Sequence, residues 1–445
     1  MHSSCLGLQR DTRHVVLAHF QGIMQKRRRT EETGSVDDPS SLFYYDRIME
    51  DIHRLVKDGG EVDHNSTITR IETQSDGGDL QQSSAVVRVT RRLNGNSEGE
   101  EIMRLINVPS MIGFSRLSTR SIRSSLFTTA KAVMMAQYHF NDRLETVVPN
   151  LREILTDKET GEECDLRMGI DFYDTGLAVG HAMQLLSEEL HKRGVPYEAS
   201  AVMGAVRSAV SIPLAVVNSV RKVPQVSYAS TSTTLDNRDT YPMFGRVIPS
   251  NEGDAKAVMD YYRGVGVTHL GILYVRDAYG SAFRAALEES AASYGIETRI
   301  ATIPGFGSEG GNDIEAAVAS AVKGLRATGY RYFIGVIFGP HFKPLVRAAT
   351  KAGIMGRGHH WIFADGINED AMTGLSAKAG TPLAEAIHGL GLLSTGSALS
   401  SGHFDRFVEA FDEFENRTDF RDYFASKTVR LSGYLAPFFD SNVDF

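Results

Sequence analysis

Polar side chains gather at four places along this chain where a small chemical group could be held. Ser208 and Ser211 flank the start of a predicted helix whose first turn contains Pro213. Backbone N–H groups left open at a helix start, together with hydroxyls, suit a carboxylate or similar anion. Ser227, Tyr228 and the run Ser230, Thr231, Ser232, Thr233 and Thr234 make a hydroxyl-rich strand end. Tyr279-Gly280 precedes a predicted helix, and Asp365-Gly366 follows a predicted strand. Taken singly, each of these is an ordinary cap or turn. Their shared position after strands, in a chain that alternates strands with helices, makes them one candidate site.

Catalytic patterns are sparse. Residues 305–310 (GFGSEG) match G-x-G-x-x-G after a strand and before a helix, the setting of a loop that cradles a pyrophosphate. The next strand ends in Phe338-Gly339-Pro340, without the acid that would hold a ribose. A glycine-rich connection is the competing reading. His359 and His360 are adjacent at a strand start, where neighbouring side chains face opposite ways, so they do not converge on a metal. Ser320 and Lys323 match S-x-x-K, but in the middle of a helical stripe. No G-x-S-x-G elbow and no P-loop occur. The expectation is no catalytic residue, no metal and no cofactor.

The elements that must position the candidate residues follow from periodicity. Short apolar strands are predicted at 169–173, 199–203, 225–229, 269–275, 298–304, 332–338 and 361–364. Between them run amphipathic helices, for example the stripe Val179, Met183, Leu186, Leu190 and the stripe Ile314, Val318, Val322, Leu325, the latter opened by an Asn312/Glu315 capping box. A further helix is read over 281–295, with Ser281 as its cap. The near-unbroken apolar run YFIGVIF means burial on both faces, as in a parallel sheet between helices. Successive βα units with turn-rich breaks near 230–253 and 365–400 predict an α/β protein of two Rossmann-like lobes, each binding ligands beyond the carboxyl ends of its strands.

Residues 1–104 read as an N-terminal extension. Residues 1–40 are tail-like, with a basic run at 26–29. An amphipathic helix follows, carried by Tyr45, Ile48, Ile52 and Leu55, and then two β-like runs, STITRIET and SAVVRVTRR. The whole chain has 445 residues, 42% hydrophobic and 23% charged, which fits a globular protein of more than one unit. A net charge of −8 excludes the basic surplus of a dedicated nucleic-acid binder. Two cysteines, Cys5 and Cys164, exclude a disulfide scaffold and a four-cysteine zinc site, and leave one bridge open. No stretch has the 20 apolar residues of a membrane span, and the first residues lack the core of a signal peptide.

The stretch PQVSYASTSTTLDNRDTYPMFGRVIPSNEGDAKAVMDYY (224–262) resembles the ligand-binding region of metabotropic glutamate and GABA receptors. More widely it is similar to the receptor ligand-binding family with the type I periplasmic-binding-protein fold. AKAVMMAQYHFNDR resembles that family's first helix, DFYDTG its second strand, RDAYGSAF its second-lobe tyrosine loop and WIFADG its acidic loop. The similarity runs over roughly 105–440. It implies a clamshell that binds a small molecule, amino-acid-like or carboxylate, closes on it and does not catalyse. It implies ligand contacts at Ser208, Ser230 and Thr231 on the first lobe and at Tyr279 and Asp365 on the second. Asp365 would pair an ammonium. Two positions depart from the pattern: Ala209 replaces a serine, and Asn251 stands where the glutamate receptors have an acid.

The implied lobes are 105–248 with 395–445, and 249–394. The implied setting is the extracellular or lumenal face of a receptor, with a small-molecule partner, no nucleic acid, room for a homodimer through lobe 1, and membrane attachment through segments outside this chain. Alternatives are a soluble solute-binding protein for transport and a nucleotide-dependent α/β enzyme using 305–310. Residues 433–445 (GYLAPFFDSNVDF) resemble the beginning of a family helix that normally continues, so a fragment with exposed apolar surface on one lobe is expected.

Overall fold

The computed structural model describes residues 68–75, 85–92, 98–112, 120–192, 199–305, 314–367, 382–393, 402–415, 428–431 and 434–437. The expected helix near Tyr45, the Asn312 capping box and most of the glycine loop at 305–310 lie outside them.

The chain begins with β1 (Ile68–Ser75), β2 (Ala85–Arg92) and the long β3 (Glu98–Ile112). It continues through α1 (Arg120–Asn141), β4 (Leu166–Asp174), α2 (Val179–Lys192), β5 (Val202–Gly204), α3 (Ser208–Val220), β6 (Gln225–Ser227) and β7 (Phe244–Arg246). A second series follows: α4 (Asn251–Gly264), β8 (His269–Arg276), α5 (Ala278–Ser293), β9 (Glu297–Pro304), α6 (Ile314–Arg326), β10 (Tyr332–Val336), α7 (Gly339–Ala352), β11 (His360–Phe363), α8 (Pro382–Ile387) and β12 (Gly391–Leu392). The described chain ends with α9 (Gly402–Glu415), β13 (Thr428–Leu431) and β14 (Tyr434–Pro437).

These strands make two sheets, as expected for two α/β lobes. The first runs β14-β13-β4-β3-β5-β6-β7, with the β1–β2 pair attached antiparallel to the early half of β3. The second is the all-parallel β12-β11-β10-β8-β9. The chain therefore leaves the first sheet after β7 and returns to it through β13, which pairs in parallel with β4. In each sheet the order reverses once, between β3 and β5 and between β8 and β10. Such reversals open a crevice at the carboxyl ends of the strands, because the adjoining helices leave toward opposite faces.

Burial explains the layers. On β4, Ile170 and Phe172 join Val133 and Met134 of α1 and Phe407, Phe411 and Phe414 of α9, while Tyr173 turns to the opposite face with Leu185 and Leu186 of α2 and Leu214 of α3. The period of two along a strand produces that division. The second sheet has one continuous core, with Leu270, Ile272, Phe333, Ile334, Trp361 and Phe363 all buried. Gly271 and Gly335 leave space for the Phe333 and Phe363 rings, on which a Cβ would intrude at 2.5 and 2.6 Å.

β3 runs unbroken through position 104, because the apolar pattern of residues 102–112 continues the strand begun at Glu98, and it carries the β1–β2 pair into the first sheet. Three expectations need correction. α3 starts at Ser208, three residues ahead of Ser211. α5 starts at Ala278, and its cap is Asp277, whose carboxylate accepts the Gly280 N–H at 2.9 Å. An aspartate in that position satisfies a free helix-start donor better than the later Ser281 could. Residues 434–437 form a strand antiparallel to β13 where a helix was expected. Between the two strands the sequence reads Ser432-Gly433, residue types that favour a turn.

Candidate ligand-binding site

The first-lobe half of the site lies at the ends of β5 and β6. A network of buried serines shapes it around the Ala205 backbone. The Ser211 hydroxyl accepts the Ala205 N–H at 2.9 Å, and the hydroxyls of Ser227 and Ser230 reach the Ala205 carbonyl at 2.8 and 3.1 Å. Ser230 also contacts the Ser211 hydroxyl at 2.8 Å. Ser208 accepts the Ser232 N–H at 3.1 Å, tying the start of α3 to the hydroxyl-rich turn. Thr231 is buried beside it, and its carbonyl accepts the Asn251 N–H at 2.9 Å.

The second-lobe half lies at the ends of β8, β10 and β11. The Tyr279 hydroxyl donates to Asp365 at 2.6 Å and accepts the Gly366 N–H at 3.2 Å. Only glycine fits at 366, since a Cβ there would sit 2.3 Å from the Ile337 carbonyl. The Tyr279 ring lies against Phe338, centroids 5.1 Å apart. Burial first, and then the Asp365 charge, raise the Tyr279 hydroxyl well above its ordinary pKa, so it stays protonated and remains a donor. Burial also raises Asp365, against the Tyr279 hydrogen bond, which stabilises its charged form.

Three contacts bring the halves together. Arg207, next to Ser208, pairs with Asp277, two residues before Tyr279, at 2.6 Å. The Arg207 guanidinium also reaches the Leu177 carbonyl at 3.1 Å and lies 5.4 Å from the Phe338 ring centroid. α3 and the 3-10 turn Thr233–Asp236 both pack on α5. The third contact is the Asn251–Thr231 hydrogen bond, which joins α4 to the first-lobe turn. Ser208, Ser230, Thr231, Tyr279 and Asp365 thus border one junction between the sheets. Their exposure differs in kind: Ser230 is fully buried with its hydroxyl engaged by the framework, whereas Asp365 is only partly buried.

A two-lobed α/β protein whose strand ends meet across such a junction has a known counterpart. The family model for the receptor family ligand binding region matches residues 129–432. The chain belongs to this family. Metabotropic glutamate receptor 4 of Rattus norvegicus is 34% identical over 102 residues, 23% of this chain and 11% of the relative. Metabotropic glutamate receptor 8 of Homo sapiens is 36% identical over 85 residues, 19% of this chain and 9% of the relative. Metabotropic glutamate receptor 6 of Oryctolagus cuniculus is 38% identical over 85 residues, covering 19% and 10%. The match therefore spans only a small part of those receptors' length.

Within this receptor ligand-binding region, several residues at the junction escaped the sequence reading. Arg207 and Asp277 each adjoin a singled-out residue, but their partnership spans 70 positions and becomes visible only in three dimensions. Asp254 lies one helical turn beyond Asn251 on α4. Burial, and then the neighbouring Asp365, push it up to about 6. The signal for it was i, i+3 spacing from a position already noted. Of the nucleotide loop, Gly305 alone is described, packed near Asp277 and Arg276. Among the described residues no group of three or more His, Cys, Asp or Glu converges as for a metal, and no helix is long and apolar enough to cross a membrane.

Proposed function

We propose that this receptor ligand-binding region holds a small molecule between its lobes, closes on it, and serves as the outward-facing sensor of a membrane receptor without catalysing a reaction. The observation that carries this is the Arg207–Asp277 contact, because it sets the strand ends of both sheets against each other at the crevice where such folds bind ligands. Ser208, Thr231, Tyr279 and Asp365 are the contacts in this reading, with Ser230 supporting them from behind. The lobes are 105–248 with 395–445, and 249–394. Membership in a receptor family, and relatives named as receptors, favour sensing over transport.

Closure around a ligand is a population shift driven by contacts present only in the closed form. A thermal-denaturation screen combined with small-angle scattering tests the reading. A ligand at 100 times its Kd adds about 2.7 kcal/mol of stability, and it should shrink the radius of gyration in the same concentration range. A panel of amino acids, carboxylates, amines and nucleotides that moves neither quantity would overturn it.

A further inference from the structure

We infer that Arg246 is a positioning residue of the cleft, one that locks the hydroxyl-rich turn carrying Thr231 to the strand from which the chain crosses into the second lobe. This rests on the cleft reading above and names what sets the geometry of its first-lobe half.

Arg246 closes β7, the last strand before the chain leaves the first sheet. Its side chain is nine-tenths buried. One guanidinium nitrogen, Nη1, donates to the Ser232 carbonyl at 2.9 Å and to the Ser230 carbonyl at 3.4 Å. The other, Nη2, pairs with the Asp236 carboxylate at the far end of the 3-10 turn Thr233–Asp236. A single planar fork thus grips the chain on both sides of Thr231 and again at the end of the turn. Lysine offers no such fork, because its ammonium is a point charge on a flexible stem.

Two further ties hold the turn. Ser208 accepts the Ser232 N–H at 3.1 Å, and the Thr231 carbonyl accepts the Asn251 N–H at 2.9 Å. Asn251 opens α4, the first helix after β7. These contacts close a ring. It runs from Arg246 along the chain to Asn251, across to Thr231, and back to Arg246 through the Ser230 and Ser232 carbonyls. The ring encloses the passage of the chain between the lobes. The serine hydroxyls around it are spent on the framework: Ser208 on the Ser232 N–H, Ser230 on the Ala205 carbonyl, and Ser232 on the Thr234 N–H at 3.3 Å. No hydrogen bond among the described residues engages the Thr231 hydroxyl. Arg246 fixes where that hydroxyl stands without touching a ligand, as the supporting shell of a precise site does. Removing the fork should therefore loosen the Thr231–Asn251 bond, in which Arg246 itself takes no part.

The test follows backbone amide exchange by NMR in the unliganded chain, for the parent, Arg246→Met and Arg246→Lys. Methionine keeps an unbranched apolar stem and removes every donor. The Ile272 and Ile334 amides, in the buried centre of the second sheet, report global stability. Exchange at the Asn251 N–H should rise more than at those two amides, by roughly tenfold in Arg246→Met and roughly threefold in Arg246→Lys. An equal rise at all three amides would mark Arg246 as a general stabiliser and overturn the inference. So would an Asn251 rate at the parent level in either variant; if Arg246→Met does not fold, Arg246→Lys alone decides. A second arm takes the compound that most raises the parent's melting midpoint in the panel above and titrates it into both variants. Binding to Arg246→Met should be weaker by roughly tenfold, the worth of one charged hydrogen bond. Unchanged affinity would overturn the inference and leave the cleft reading standing. A panel without effect overturns the cleft reading instead, and the exchange rates still judge Arg246.

Discussion

Arg207 on the first lobe and Asp277 on the second form an ion pair at 2.6 Å, with both side chains less than a tenth exposed. Removing one partner of a buried pair strands the other charge, at a cost of about 3–5 kcal/mol. Here the protein has an escape, since separating the lobes returns the stranded charge to water. The cost therefore appears as a shift toward the open form, by a factor of order 10² if about 3 kcal/mol is transferred. Asp277→Asn is the informative variant, because asparagine still caps α5 through the Gly280 N–H. Scattering or an interlobe fluorescence pair should report a more open unliganded protein for Asp277→Asn and for Arg207→Ala. The double variant should be no more open than either single one, since both remove the same interaction.

Tyr279 anchors the opposite wall. Tyr279→Phe keeps the ring against Phe338 but removes the donor to Asp365 and the acceptor for the Gly366 N–H. Loss of stability of about 1–3 kcal/mol is expected on denaturant unfolding, since two partly buried groups lose a partner. The tyrosine hydrogen bond favours the charged carboxylate, so without it Asp365 should titrate higher than in the parent protein, as carboxyl-carbon NMR would show. An unchanged Asp365 titration would mean that the 2.6 Å contact does not persist in solution.

The fold was legible because its strands are either apolar throughout or cleanly alternating. The YFIGVIF run became β10 at the centre of the second sheet, and the Val179, Met183, Leu186 stripe became α2. Boundaries were less legible where a polar side chain decides them. Asp277 caps α5, whereas the sequence pattern placed that helix three residues late, at Ser281. Residues 434–437 escaped for another reason. Leu435 and the phenylalanines after it suit a helix as well as a strand, and pairing with β13 decides between them. At the site, the hydroxyl clusters and Tyr279 were visible as residue types in context. Arg207 with Asp277, and Asp254 with Asp365, were not, because each pair joins elements far apart in the chain.

Ser230 separates framework from contact. Its hydroxyl reaches the Ala205 carbonyl and the Ser211 hydroxyl, and the residue is fully buried. Ser230→Ala should therefore cost about 1–3 kcal/mol of stability while leaving the affinity of whichever compound binds within about twofold. Thermal denaturation and titration on the same preparation check both halves. A large loss of affinity without loss of stability would make Ser230 a direct ligand contact.

Asp254 gives the pH dependence its sign. Its folded-state pKa is about 6, raised by burial and then by Asp365 from an ordinary value of 3.8. The folded protein therefore holds this proton more tightly than the unfolded chain does. Stability from this group is fullest below about 3.8 and declines as pH rises through 6, where folding must keep a charge that it disfavours. Asparagine cannot ionise, so Asp254→Asn should unfold at higher denaturant than the parent at pH 7.5, and the difference should shrink toward zero as pH falls to about 4. Denaturant titrations of the two proteins across that range make the comparison without requiring a ligand. If the difference kept its size down to pH 4, its source would be the shape of the new side chain rather than the charge of the old one.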